Sequence, residues 1–308
     1  MDRHDVIVLG AGPAGLTAGL YAGRARLETL VLEMMVPGGW AAITQTIENY
    51  PGAGTVNGQE LVAAMVEQAK AAGAEIASGQ VDGLEPAGDG FVVRAGEKTR
   101  ETRSVIVATG TEFRKLGIPG EERLAGRGVS YCATCDGPLY KGLEIAVVGG
   151  GDSALQEALY LTGFASKVYL IHRRDEFRGV ELLSERIRSH EKIECLLSTT
   201  VQEVNGDDGV ESLEIRDVSS GETRSLPVAG VFVFIGLEPR TGFLSGLVET
   251  DEQGFIVTDG AMRTGVRGLL AAGDCRAKLL RQVSTAVGDG ATAAFAAQRY
   301  LEDGQWPE

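Results

Sequence analysis

Residues 10–33 read GAGPAGLTAGLYAGRARLETLVLE, and residues 149–172 read GGGDSALQEALYLTGFASKVYLIH. The two stretches align without a gap, pairing Gly10 with Gly149, Gly12 with Gly151, Leu16 with Leu155 and Leu20-Tyr21 with Leu159-Tyr160. Each follows an apolar run, Val6–Leu9 or Ile145–Val148. Each then passes through a helix-period stretch into a second run, Thr29–Leu32 or Val168–Ile171. That is a βαβ unit written twice. The glycines let the chain turn tightly and let its backbone approach a pyrophosphate, while the helix that follows aims its N–H groups and positive dipole end at the same place. A lone Gly-rich turn is weak evidence, but both copies sit between a strand and a helix, which is the context a dinucleotide site needs.

The repeats end differently. The first ends in Glu33, whose carboxylate accepts hydrogen bonds from ribose hydroxyls and repels a 2′-phosphate. The second ends in His172-Arg173-Arg174, with Arg178 one turn on, and guanidinium groups match a 2′-phosphate. The first site is therefore expected to take FAD or NAD, and the second NADPH.

Between the repeats lies Cys132-Ala133-Thr134-Cys135. A C-x-x-C pair is a ready dithiol/disulfide couple, and beside two nucleotide turns it reads as an electron relay. It could also be half a zinc site, but Cys195, Cys275, His4, His172 and His190 supply no second close pair, so no metal is expected. Cys195 and Cys275 read as packing residues, and His4 and His190 as surface ones.

The bulk properties agree with a globular α/β protein of two domains: 308 residues, 44% hydrophobic, 43 glycines. Lys and Arg number 29 against 43 Asp and Glu, a net charge of −14, which speaks against general nucleic-acid binding and against docking on anionic membranes. Four cysteines are too few for a disulfide framework at this size, and the chain runs almost at once into Val6–Leu9, so a cytoplasmic protein is expected.

Near the other end, Thr264–Asp274 reads as a short apolar strand ending in Gly273-Asp274, and Arg281-Gln282-Val283-Ser284 opens a last helix running to about Tyr300. The strand resembles the second flavin fingerprint of two-dinucleotide flavoproteins, whose Asp binds the ribityl chain. With it, Gly10–Gly15, Glu48–Gly52, Val107–Gly110, Tyr131–Gly137, Gly149–Ala154, His172–Asp175 and Gly273–Gln282 closely resemble low-molecular-weight thioredoxin reductase, a pyridine nucleotide-disulfide oxidoreductase.

The resemblance implies an α/β fold with two Rossmann-like three-layer dinucleotide-binding domains. A discontinuous FAD domain (1–113 and 243–308) would carry an inserted NADPH domain (118–240), joined through hinges at 115–120 and 236–240. It also implies an FAD site made of Gly10, Ala11, Gly12, Pro13, Ala14, Gly15, Glu33, Gly39, Trp40, Asn49, Val81, Ala108, Thr109, Gly110, Gly273, Asp274, Arg281, Gln282 and Val283. The NADPH site would be Gly149, Gly150, Gly151, Asp152, Ser153, Ala154, His172, Arg173, Arg174, Arg178, Ile235 and Gly236. Hydride would pass from NADPH to FAD and on to the Cys132–Cys135 disulfide. Cys135 would be the flavin-proximal sulfur, Cys132 would attack oxidised thioredoxin, and Asp136 would be the acid/base. The family is typically a homodimer whose domains rotate between two arrangements.

Some readings stay open. Asp136-Gly137-Pro138 is also good turn chemistry. Trp40 stands where the family usually has Gln, and an indole there either stacks near the flavin or packs in the core. A relative serving another dithiol carrier, one with a different electron donor, and a flavin-disulfide redox sensor are the alternatives.

Overall fold

The computed structural model describes every residue except Met1, Gln45, Thr46, Glu48, Ser245, Gln305, Pro307 and Glu308, and every described side chain except those of Asp2 and Cys135. Glu48 of the 48–52 motif and the Cys135 side chain therefore lie outside the described residues. The chain divides into two units, one of residues 1–112 with 238–308 and one of residues 113–237.

The first unit begins with strand β1 (Asp2–Leu9), helix α1 (Pro13–Arg24) and strand β2 (Thr29–Glu33). It continues through α2 (Gly39–Ile43), α3 (Gly58–Ala71), β3 (Glu75–Ser78), β4 (Gly83–Ala87), β5 (Gly90–Ala95), β6 (Lys98–Val107) and β7 (Thr111–Phe113), the last of which leads out of the unit. The sheet order is β3-β2-β1-β6-β5-β4. β3, β2, β1 and β6 run parallel, and β4 and β5 return antiparallel on the far side. In β1 the residues alternate between faces, Val6 and Val8 into one core and Ile7 and Leu9 into another, and all four are at most 1% exposed. A strand covered on both faces has no use for polar residues, hence the unbroken apolar run.

The second unit repeats the plan. Its elements are β8 (Val129–Ser130), α4 (Ala133–Asp136), β9 (Glu144–Gly149), α5 (Asp152–Leu161), β10 (Lys167–Ile171), α6 (Glu181–Ser189), β11 (Ile193–Leu196), β12 (Thr199–Asn205), β13 (Ser212–Asp217), β14 (Thr223–Pro227) and β15 (Val231–Phe234). The parallel sheet β11-β10-β9-β15-β8 has α5 and α6 on one face, where Leu155, Leu161 and Ile187 meet Ile145, Val147 and Leu170. An antiparallel sheet β12-β13-β14 covers the other face through Val201, Leu213, Ile215 and Leu226. The chain then returns through β16 (Leu237–Pro239), adds β17 (Leu269–Ala271) to the first sheet and ends in α7 (Val283–Asp303).

β17 is shorter than the apolar run Thr264–Asp274 suggests. Only Leu269, Leu270 and Ala271 pair, with Val105, Ile106 and Val107 of β6, because Gly268 (φ +81°) turns the chain just before them and Gly273 (φ +80°) just after. α7 starts at Val283, with Gln282 as its N-cap in a capping box with Thr285, and runs three residues past Tyr300 to a left-handed Gly304. It lies on α1 through small residues. A Cβ at Gly290 would run into the Ala14 carbonyl, so the two backbones touch and the start of α7 is brought to the start of α1.

Two N–H groups of the segment 115–120, read from sequence as a hinge, are bonded to a buried carboxylate. The Glu121 carboxylate, 1% exposed, accepts from the Leu116 and Gly117 N–H groups at 2.8 and 2.7 Å and from the Tyr131 hydroxyl at 2.8 Å. That ties the linker to the residue before Cys132. Burial, and then Glu121, push the Tyr131 phenol well above its ordinary pKa.

Candidate functional site

The first glycine turn opens onto a cleft of about 520 Å³ in the first unit. Gly10 (φ +103°) turns the chain where a Cβ would strike the Ala108 carbonyl, and Gly15 leaves room for the Gly10 carbonyl. Gly12 differs from both. It caps α1, Pro13 follows at the first helical position, and no atom lies within 4 Å of where its Cβ would stand. The helix start is thus open to the cleft. At the end of β2 the Glu33 carboxylate accepts from Ala11 N–H at 2.8 Å and from Met35 N–H at 3.1 Å.

Gly10, Gly12, Pro13, Ala14, Glu33, Gly39, Trp40, Ala108, Thr109, Gly110, Gly273, Asp274, Gln282 and Val283 all line this cleft. The other residues named for it from sequence stand around it. Ala11 is buried inside the turn, and Gly15 is buried in α1. Asn49 donates to the Gln282 amide oxygen at 3.0 Å. Arg281 lies over the Phe255 ring at 3.9 Å. Val81 lines a neighbouring hollow of about 450 Å³ that shares Gly10, Glu33 and Thr109. A larger hollow of about 830 Å³, between the β4–β5 turn and the end of α7, contains none of the residues singled out from sequence.

Trp40 is half-buried on α2 and donates its indole N–H to the Thr111 carbonyl at 2.9 Å. Its one polar group is therefore satisfied by backbone, and the ring forms part of the cleft wall. Several lining residues escaped the sequence reading: Met34, Met35, Val36, Ile43, Gln59, Arg240 and Ala286. Three of them had a signal, because Met34-Met35-Val36 is an exposed apolar run directly after a strand. Arg240, which lies 200 residues from that run in sequence, had none.

Asp274 follows β17 with its carboxylate largely buried. Lys278 Nζ stands 3.5 Å from its Oδ1, an ion-pair distance that leaves this oxygen without a hydrogen bond. Burial raises the Asp274 carboxyl above its ordinary value, while Lys278 and then Arg281 pull it back. The next residue, Cys275, is a fully buried free thiol pushed up to about 11 by burial, which fits the packing role read from sequence.

The second turn sits in the second unit. Gly151 caps α5 and is open like Gly12, while Asp152 accepts from Val180 N–H at 2.7 Å. Arg178 N–H donates to the Gly150 carbonyl at 2.7 Å. Arg173, Arg174 and Arg178 are exposed at the end of β10. His172 is buried, with its ring where a Gly150 Cβ would be and its Nε2 without a partner. Burial, then Arg178 and Arg174, hold it below the ordinary histidine value. Gly149 ends β9, Ser153 and Ala154 lie in the first turn of α5, and Ile235-Gly236 follow β15.

Cys132 is half-buried and disulfide-bonded, at the entry to the one-turn helix α4. Ser130 Oγ accepts from Cys132 N–H at 3.1 Å and donates to the Cys132 carbonyl at 3.3 Å, and that carbonyl also accepts from Asp136 N–H at 3.2 Å. Asp136 is half-buried where α4 passes into a 3₁₀ turn over Gly137–Tyr140, so it occupies the turn position that its Asp-Gly-Pro context suggested. Its charge is the second cause, after burial, that raises the Tyr140 phenol. Cys195 is a half-buried free thiol on β11, less enclosed than the sequence suggested, and His4 and His190 are half-buried.

Comparison with known proteins places this geometry. The model of the pyridine nucleotide-disulphide oxidoreductases matches residues 4–290. A thioredoxin reductase of Listeria innocua is 48% identical over 97% of this chain and 94% of its own length. One of Bacillus subtilis is 47% identical over 97% and 95%. The crystal structure of Lactococcus lactis thioredoxin reductase superposes with a TM-score of 0.88 at 45% identity, covering 97% of this chain and 99% of that one. Two βαβ glycine turns, a cysteine pair ahead of the second turn and full-length likeness to these relatives have one account: the chain belongs to the thioredoxin reductase family of pyridine nucleotide-disulphide oxidoreductases.

Proposed function

We infer that this protein is an NADPH-dependent thioredoxin-disulfide reductase that carries FAD, turning NADPH, a proton and oxidised thioredoxin into NADP⁺ and the dithiol. The observation that carries the reading is the cysteine pair Cys132/Cys135 in a chain with two nucleotide turns of different chemistry.

The cleft of the first unit fits FAD on its own residues. The open Gly12 and the start of α1 suit a pyrophosphate, Glu33 suits ribose hydroxyls, and the unbonded Asp274 Oδ1 is a buried acceptor in need of a donor such as a ribityl hydroxyl. Bound there, the flavin supplies two-electron transfer between a nicotinamide and a disulfide. In the second unit, the stretch Gly149–Ala154, open at Gly151 where α5 begins, would hold the NADPH pyrophosphate, the exposed Arg173, Arg174 and Arg178 would suit its 2′-phosphate, and Ile235-Gly236 are proposed to belong to the same site.

Once the pair is reduced, the Cys132 thiolate attacks a sulfur of the thioredoxin disulfide, forming a mixed disulfide and releasing one thioredoxin thiol. Cys135 then attacks Cys132, restoring the Cys132–Cys135 bond and releasing the second thiol. Asp136 is the proposed proton donor to the departing thiolate. A homodimer working in the cytoplasm is part of the same proposal; among the described residues no helix is long and apolar enough to cross a membrane.

The test is an anaerobic NADPH titration followed in the flavin absorbance band. Native protein is expected to take up about two hydride equivalents and Cys135→Ser about one. Equal uptake by both would disconnect the cysteines from the flavin. Turnover with thioredoxin distinguishes the reductase from a sensor, which would bind partners according to its oxidation state without consuming NADPH.

A further inference from the structure

Behind the flavin cleft lies a group of four charges, of which only Asp274 faces the cleft. Asp289 stands on α7 with a side chain 13% exposed; Lys278 and Arg276, on the segment between β17 and α7, are 8% and 12% exposed. Asp289 Oδ2 accepts from Gly273 N–H at 3.1 Å and from Lys278 Nζ at 3.0 Å, and its Oδ1 accepts from Arg276 Nη1 at 3.2 Å. Lys278 Nζ also donates to Thr285 Oγ1 at 3.2 Å and stands 3.5 Å from Asp274 Oδ1. Thr285 Oγ1 in turn accepts from Gln282 N–H at 3.1 Å, closing the cap of α7.

Two carboxylates and two cations stand together, and the group reaches the cleft lining at three residues: Gly273 through Asp289, Asp274 through Lys278, and Gln282 through Lys278 and Thr285. Asp289 holds the Gly273-Asp274 turn to the helix. Lys278 holds Asp274 and the helix cap, and with it Gln282, which lines the cleft. A buried carboxylate costs free energy unless a cation stands beside it, and for Asp274 that cation is chiefly Lys278, with Arg281 second.

We propose that Asp289 and Lys278 are positioning residues of the flavin site: Asp289 fixes the Gly273-Asp274 turn against α7, and Lys278 stands as counter-ion to the Asp274 carboxylate and holds it toward the cleft. The proposal rests on the reading that this cleft takes FAD. Neither residue lines the cleft, so they act through Gly273, Asp274 and Gln282.

FAD binding by the apoprotein, followed by quenching of flavin fluorescence, tests this beside the melting temperature of each apoprotein. Asp289→Asn keeps an acceptor for Gly273 N–H and withdraws the charge. Lys278→Met withdraws the cation with most of the side-chain volume retained, and Lys278→Arg keeps the cation. Asp289→Asn and Lys278→Met are expected to raise the FAD dissociation constant about tenfold or more, with Lys278→Arg within about threefold of native. In the double variant Asp289→Asn/Lys278→Met the losses are expected to fall short of the product of the single ones, since the two side chains share a bond. Native affinity in Asp289→Asn and Lys278→Met would overturn the proposal. So would equal losses in Lys278→Arg and Lys278→Met, or losses that only track apoprotein melting, because these point to packing. Native apoprotein that takes up no FAD would instead remove the reading of the cleft itself, and the positioning role with it.

Discussion

The two repeats put different residues at the same aligned places and solve the same packing problem in opposite ways. Residue 11 is Ala and residue 33 is Glu; their counterparts are Gly150 and His172. In the first turn the Glu33 carboxylate reaches back to the Ala11 N–H, and the Ala methyl is tolerated. In the second turn the His172 ring lies on the backbone of residue 150, and only glycine leaves space for it. Size at one position is exchanged for size at the other, so the pair changes together while the turn, the cap and the helix stay the same. The first turn therefore ends in a carboxylate facing its own backbone. The second ends in a buried imidazole that leaves the next positions, Arg173 and Arg174, at the surface.

The exchange predicts an asymmetry between matching substitutions. Gly150→Ala sets a methyl into the His172 ring and is expected to cost roughly 2–3 kcal/mol, as overpacking of a tight site does. Ala11→Gly removes a buried methyl without creating a clash and should cost less, about 1–1.5 kcal/mol. Denaturant unfolding measures both. His172→Ala in the Gly150→Ala background should restore much of the loss, because it removes the other half of the clash. Equal costs at the two positions would break the comparison at its root.

How far the sequence foretold this depends on the range of the signal. Both turns were legible because the glycines, the flanking apolar strands and the helical periodicity all lie within about 25 residues of each other, inside one βαβ unit. The cysteine pair was legible for the same reason. Arg240 was not: it reaches the cleft because its backbone N–H meets the Gly110 carbonyl and its carbonyl meets Thr109, contacts that only the folded chain creates. The Asp289–Lys278–Arg276 group was equally hidden, since its members look like ordinary helix and loop charges until α7 packs on the turn after β17. β17 itself was overread. An apolar run shows where a strand is possible, but the positive φ at Gly268 and Gly273 decides where pairing starts and stops.

A second contrast lies between the charges at the repeat ends. Arg174→Ala is expected to raise KM for NADPH about tenfold, the order of one charge-assisted hydrogen bond, with little change for NADH. Glu33→Gln should leave NADPH kinetics unaltered and weaken FAD retention instead. If Arg174→Ala affects NADH and NADPH alike, the arginine serves the fold of the 172–178 segment rather than the 2′-phosphate.

The smallest effect is the pH response of the second turn. His172 is held below its ordinary value in the folded state, chiefly by burial and then by Arg178 and Arg174. As pH falls through the unfolded value near 6.5, the unfolded chain takes up a proton that the folded chain resists, so the folded state loses stability relative to pH 7. The loss stops growing below the folded pKa, where both states carry the proton. Chemical unfolding from pH 8 down to 5 should therefore show a decline that His172→Gln flattens, because Gln has nothing to titrate. A native protein whose stability is as flat as that of His172→Gln would mean that the ring finds a partner for its second proton. Burial of the imidazole against residue 150 would then be a matter of shape alone, with no acid response attached to it.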